Sequence, residues 1–244
     1  MKRFLETLKE CYESKGRPLN IACDWDDVIY MTEQECLVRL LKVVDSIPED
    51  IKKACQLSEE KKDITIYPHA QLWDFSITMK IREITNKIFW QEDLFKQDRV
   101  LDTIDGLLEG LEKGWIERLV FMTYSAIKKN RETDIRKKAI FSKYFEKWIS
   151  KNKASMILIP FNMKGTPYEK GKFLGEIFPE SDILIDNHLT FIKWSITYSK
   201  TNLFLVPHFN QKINDHLKFL VKGSCSEIKF FEPAKSKNFR KFEY

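Results

Sequence analysis

The stretch RVLDTIDGLLEGLEKGWIERLVFMTYS, residues 99–125, changes its periodicity halfway along. In its first half Val100, Ile104, Leu107, Leu108 and Leu111 recur at helical spacing and share one face. Gly114 stands where a helix ends in a left-handed turn, a conformation that glycine reaches without a Cβ clash. Arg118–Met122 then reads as a buried strand. The unit predicted is an amphipathic helix over 99–113 feeding a strand, the repeat of a sheet covered on both faces.

The same alternation continues downstream. Residues 135–149 predict a helix with Ile140, Phe145 and Trp148 inward, Met156–Pro160 a strand, and 167–178 a helix. Ile183–Ile185 and Leu203–Val206 predict two more strands, the latter the last of the chain. Upstream, residues 2–13 predict a short helix with Phe4, Leu5 and Leu8 on one side, stopped by Gly16 and Pro18. An apolar strand, 19–23, follows. The fold class expected is α/β, a doubly wound, Rossmann-like parallel sheet. Between 19–23 and 118–122 lies a long, mainly helical stretch, with stripes such as Leu37, Val38, Leu41 and Val44, and Ile81, Ile84 and Ile88. A helical cap inserted over 33–95 is therefore expected, on a core made of 1–32 and 96–244.

Composition narrows the class. A hydrophobic share of 43% with 18 Phe and 6 Trp supports a sizeable core, and only 8 Gly and 8 Pro argue against a disordered chain. A net charge of +5, from abundant Lys nearly balanced by acids, suits anionic ligands but falls short of a nucleic-acid footprint. The cysteines, Cys11, Cys23, Cys36, Cys55 and Cys225, are odd in number and lack C-x-x-C spacing, so reduced thiols in a cytoplasmic protein are expected. Glu6 and Lys9 fall where a signal peptide needs its apolar run, and no segment approaches the ~18 apolar residues of a membrane span.

Ligands of doubly wound sheets sit at the carboxyl ends of the strands. The first strand delivers Asp24, Asp26 and Asp27, in CDWDDV. The second delivers Thr123, with Ser125 two residues on. The third leads through Pro160 to Lys164, in KGTP, and the fourth delivers Asp186 and Asn187. An acidic pair after one strand is common. An acidic cluster, a hydroxyl, a lysine and an acid at four successive strand ends form a much more specific pattern.

In these residues the sequence resembles the haloacid dehalogenase-like (HAD) superfamily of phosphohydrolases. That family carries a D-x-D-x-[TV] loop, a strand-end Thr or Ser, a Lys and a strand-end acidic pair. Here they match Asp24/Asp26/Val28, Thr123, Lys164 and Asp186/Asn187, in the family order over about residues 19–190. The resemblance implies Asp24 as a nucleophile forming an aspartyl-phosphate, and Asp26 as the acid/base. It implies Thr123 and a lysine on the phosphate, with Ser125 as a lesser rival to Thr123. Mg²⁺ is the implied cofactor, held by Asp24, Asp26 through its carbonyl, and Asp186, with Asn187 beside them. Two departures stand out: Asn187 replaces a frequent second Asp, and Asp27 stands where many members have Gly. The lysine stays open. Lys164 is the first choice, and Lys170 and Lys172, in EKGKF, also lie on that approach.

Other candidates read more blandly. His188, after the acidic pair, is expected on the surface or behind the site, and Trp25 either packs beside it or covers it. The aromatic stretch YPHAQLWDF, 67–75, reads as insert packing, and the lysine-rich 235–241 as a solvated tail. Asp27 reads as a solvated or loop-capping carboxylate. The moderate cap, its LWDF segment and the run from FWQEDLF into motif two resemble the 5′(3′)-deoxyribonucleotidase branch. That implies a phosphomonoesterase acting on a small phosphorylated substrate, a nucleoside monophosphate. Sugar phosphates or nucleic-acid 3′-phosphate ends are the alternative substrates, and a non-enzymatic binding protein on the same fold is the alternative class. No membrane partner is expected, and oligomeric state is not indicated.

Overall fold

A computed structural model describes residues 1–30, 49, 100–125, 131–160, 168–208, 211–234 and 236. Six strands make one sheet: β1 (Leu19–Cys23), β2 (Ile116–Ser125), β3 (Ala154–Pro160), β4 (Ile183–Ile185), β5 (Leu203–Pro207) and β6 (Glu227–Phe231). Their order is β3-β2-β1-β4-β5-β6, and every neighbouring pair is parallel. The helices are α1 (Phe4–Lys15), α2 (Thr103–Glu112), α3 (Arg131–Ile149), α4 (Tyr168–Ile177), α5 (Leu189–Tyr198) and α6 (Gln211–Val221). The chain is α/β and doubly wound.

The sheet is buried on both faces, and strand residues alternate between two cores as the pleat requires. Ile21 and Cys23, Leu119 and Phe121, Ile183 and Ile185, and Leu203 and Leu205 join one core. There α1 contributes Phe4 and Leu8, α2 contributes Ile104 and Leu107, and α3 contributes Phe145 and Trp148. The intervening Ala22, Val120, Met122, Leu184, Phe204 and Val206 join the other core, with Leu174 of α4, Ile192 of α5 and Leu217 of α6. Among the described residues, α1, α2 and α3 therefore cover one face and α4, α5 and α6 the other. Strand order reverses between β1 and β4, and the crevice at that switch point is where such sheets bind ligands.

The helix stops lie where the sequence puts them: Gly16, after α1, has φ 66° and Gly114, after α2, has φ 71°. The start of α2 differs from expectation. Residues 100–102 are not helical because their backbone is used elsewhere. Leu101 N–H donates to Ile29 O at 2.8 Å, Asp102 N–H to Ala234 O at 2.7 Å, and Val100 O accepts from Ser236 N–H at 2.7 Å. A second correction concerns the sheet edge. Leu203–Pro207 is not the last strand, since β6 pairs with it from Leu203↔Glu227 to Pro207↔Phe231. Helices α5 and α6 are likewise additional to the sequence reading. The cap span 33–95, with its aromatic stretch 67–75, lies outside the described residues apart from Glu49, as do most of 235–241. No described helix is long and apolar enough to cross a membrane.

Candidate active site

Asp24 is the first residue past β1, and its N–H donates to Ile185 O at 2.8 Å, continuing the β1–β4 pairing. Asp186 is the first residue past β4. Both carboxylates are buried, Asp186 at 0% exposure. Lys170, one turn into α4, reaches between them: its Nζ lies 2.7 Å from Asp24 Oδ1 and 2.7 Å from Asp186 Oδ2. The ammonium also lies 4.5 Å from the centroid of the Phe191 ring. Asp186 Oδ1 accepts from His188 N–H at 2.8 Å, so this carboxylate is fixed at both oxygens.

Lys170 gets there because α4 and α5 touch through their backbones. A Cβ on Gly171 would sit 2.7 Å from Trp194 C, and one on Gly175 would sit 2.1 Å from Tyr198 O. Only glycine permits this approach, which swings the residue beside Gly171 over the ends of β1 and β4.

The D-x-D loop turns back at once. Asp27 N–H donates to Tyr30 O at 2.7 Å, and Ile29 and Tyr30 N–H both point at Trp25 O, at 2.9 and 3.2 Å. Asp27 itself takes φ 57°, the left-handed region that glycine and, less readily, Asp adopt. This gives a physical reason for a Gly preference at that position. Asp27 is buried, which rules out the solvated one of the two readings given for it, solvated or loop-capping. Trp25 is fully buried and packs edge-on against Phe121 with centroids 5.6 Å apart, so it supports the loop from below and does not cover the site.

The turn leaves the Asp26 side chain 35% exposed beside Thr123. Thr123 Oγ1 donates to Asp26 Oδ2 at 3.3 Å. A second lysine, absent from the sequence reading, completes this corner. Lys137 of α3 is buried, and its Nζ lies 2.6 Å from Asp26 Oδ2 and 3.0 Å from Thr123 Oγ1. Its only sequence signal is a lysine facing the inward side of an amphipathic helix, in RKKAIF, where neighbouring lysines are solvent-facing.

Asp24, Asp26, Thr123 and Asp186 are thus gathered at the carboxyl ends of β1, β2 and β4, with Lys170 as the lysine between the buried acids. Lys172 faces outward, half exposed, 3.5 Å from Glu176. Lys164 lies outside the described residues, and so does the side chain of Ser125, the last residue of β2. Asn187 is buried beside Asp186. His188 caps α5, its Nδ1 accepting from Thr190 N–H at 3.3 Å, and stacks on Phe191.

Burial pushes the Asp24 carboxyl up to about 7. Lys170 opposes this, and Asp186 and Asp26 add to it. Burial pulls Lys170 down, but the Asp186 and Asp24 carboxylates outweigh it and hold the ammonium above the usual lysine range. Three carboxylates face two ammonium groups among the described residues. The donors are all oxygens and the balance is negative, which fits a hard divalent cation such as Mg²⁺. No preformed group of three or more His, Cys, Asp or Glu side chains stands there among the described residues. Of these, Asp24 and Asp186 are the buried carboxylates that could hold such a cation, with waters and substrate oxygens completing its shell.

No protein-family model matches the sequence, and no curated protein matches it. Among solved structures, the chain overlaps a HAD hydrolase of family IA, variant 3, from Entamoeba histolytica. The TM-score is 0.48, with 16% identity over 88% of this chain and 93% of that one. It overlaps a candidate beta-phosphoglucomutase of Bacteroides vulgatus at TM-score 0.45 and 10% identity, over 93% and 90% of the two chains. A candidate haloacid dehalogenase-like hydrolase of Burkholderia xenovorans scores 0.43 at 9% identity, over 82% and 86%. These are loose overlaps, and the functional reading rests on the strand-end geometry.

Proposed function

We propose that the chain is a Mg²⁺-dependent phosphomonoesterase of HAD type, working through a phosphoryl group carried on Asp24. The observation that carries this reading is the buried Asp24–Lys170–Asp186 bridge at the switch point of the sheet. A buried carboxylate held at hydrogen-bond distance from an ammonium is oriented for attack, and the ammonium offsets charge as phosphoryl oxygens approach. Asp24 attacks phosphorus as the ester P–O bond breaks, and Asp26 gives its proton to the departing oxygen. Asp26 then takes a proton from water as that water attacks phosphorus and the bond to Asp24 breaks, releasing inorganic phosphate. Thr123 would turn its one hydroxyl hydrogen from Asp26 Oδ2 to a phosphoryl oxygen when substrate binds. Mg²⁺, when bound, supplies charge that offsets both the acids and the phosphoryl group.

The substrate assignment is a nucleoside monophosphate in the cytoplasm. It is supported by the resemblance of the cap and of the run into motif two to deoxyribonucleotidases. Purified protein given Mg²⁺ with nucleoside monophosphates, sugar phosphates and 3′-phosphorylated oligonucleotides tests it. Phosphate release fastest from the nucleotides is the expected outcome, and release confined to another class would reassign the substrate. No release from any of them, nor from p-nitrophenyl phosphate, would favour a binding protein.

A further inference from the structure

Among the described residues, Lys137 is a buried ammonium near the site that the reaction above does not employ. Burying an ammonium is costly unless it is paired, so its place needs a reason. It comes from α3, on the opposite face of the sheet from α4, and spends two of its donors on one corner, Asp26 Oδ2 and Thr123 Oγ1. Thr123 Oγ1 in turn donates to the same Asp26 oxygen, closing a triangle of three side chains. Among the described residues, the ammonium that pairs with Asp24 and Asp186 is that of Lys170. The two ammonium groups therefore divide the site, Lys170 on the attacking carboxylate and Lys137 on the carboxylate that handles protons.

We propose that Lys137 is a positioning residue, which holds the Asp26 carboxyl and the Thr123 hydroxyl in one register beside the leaving group. This rests on the phosphomonoesterase reading and adds a residue to it. Asp26 is the third residue past the end of β1 and its side chain is partly exposed, so water competes for it. The buried ammonium selects the rotamer that keeps Oδ2 against Thr123. Its loss should impair proton delivery to the leaving oxygen more than attack by Asp24.

Leaving groups separate these two effects. An alkyl phosphate must be protonated as its P–O bond breaks, whereas p-nitrophenyl phosphate expels a stable anion and needs little help. A general acid contributes roughly 10²–10⁴-fold, so in a single-turnover measurement, which reads leaving-group release before water attacks, Lys137→Met should slow nucleoside release from a nucleoside monophosphate by about 10²-fold. Release of p-nitrophenolate in the same single-turnover measurement should slow several-fold at most, with KM little changed on either ester. Lys137→Arg, which keeps a donor and a charge, should recover part of the loss on the alkyl ester only. Melting temperatures of both variants near that of the wild type would establish that the fold is intact, and Lys137→Arg serves if Lys137→Met does not fold. Equal slowing of leaving-group release from the two esters in the single turnover, or a change in KM alone, would overturn the positioning role and leave the hydrolase reading standing. A wild type inactive on both esters would overturn both.

Discussion

At the scale of single residues, the site is organised by how much charge it buries. Asp24 carries the largest consequence. Its carboxyl is raised to about 7 in the folded chain from an ordinary value of 3.8, so between those values the folded state holds a proton that the unfolded state releases. Stability contributed by the protonated form is present below about pH 4 and is lost as pH rises through 7. Without divalent cation, the melting temperature should fall from pH 5 to pH 8, and Asp24→Asn should flatten that fall. Thermal scans in a chelator read this directly, and an unchanged slope in the variant would locate the pH dependence elsewhere. Lys170→Met should be more harmful than either change, because it leaves two buried carboxylates facing one another. Removing one partner of a buried ion pair costs about 3–5 kcal/mol, and urea unfolding at pH 8 should register a loss of that order.

At the scale of elements, reach is decided by helix contact. The glycine pair Gly171 and Gly175 lets α4 lie against α5, and this contact carries Lys170 to the ends of β1 and β4. Gly175→Ala puts a methyl 2.1 Å from Tyr198 O, against backbone that cannot swing aside as a side chain would. Overpacking of this kind costs about 1–3 kcal/mol, and chemical denaturation should show it. Gly171→Ala should lose activity as well as stability, since it pushes the residue next to Lys170 away from Trp194. A Gly171→Ala protein with full activity would mean that Lys170 does not depend on the α4–α5 contact. The element boundaries were legible where local signals decided them, as at Gly16 and Gly114. They were not legible where a distant partner decided them. Residues 100–102 continue an apolar helical stripe in sequence, yet they give their backbone bonds to Ile29, Ala234 and Ser236. Strand β6, EIKFF, sits at the sheet edge with only Phe231 fully buried, so it lacks the apolar run that marks the inner strands.

At the scale of the whole molecule, the sheet joins the site to the core beneath it. Phe121 of β2 lies two residues before Thr123 and packs against Trp25 from the D-x-D loop and against Phe141 and Phe145 of α3. Lys137 comes from that same helix. Phe121→Ala should therefore loosen both the loop that carries Asp26 and the helix that carries Lys137. A buried Phe→Ala change costs about 3–5 kcal/mol, and calorimetry would show whether that loss is met here. The parallel sheet and its two covered faces follow from alternating helix and strand patterns, and these were readable along the chain. So was the placing of acids at strand ends, because each acid directly follows an apolar run. The lysines were harder. Lys137, Lys170 and Lys172 all sit in charged, helical surroundings in sequence, and only the packing of α3 and α4 onto the sheet separates the two buried ammonium groups from the solvated one.

In the proposed reaction Asp24 takes the phosphoryl group from substrate. The most direct measurement is to mix the protein with Mg²⁺ and a hydrolysed phosphate ester, quench in acid within the first turnover, and map the phosphoryl adduct by mass spectrometry. An adduct on the peptide holding Asp24 is expected, lost in a folded Asp24→Asn variant together with phosphate release. Turnover that persists in Asp24→Asn, or an adduct on another residue, would contradict it.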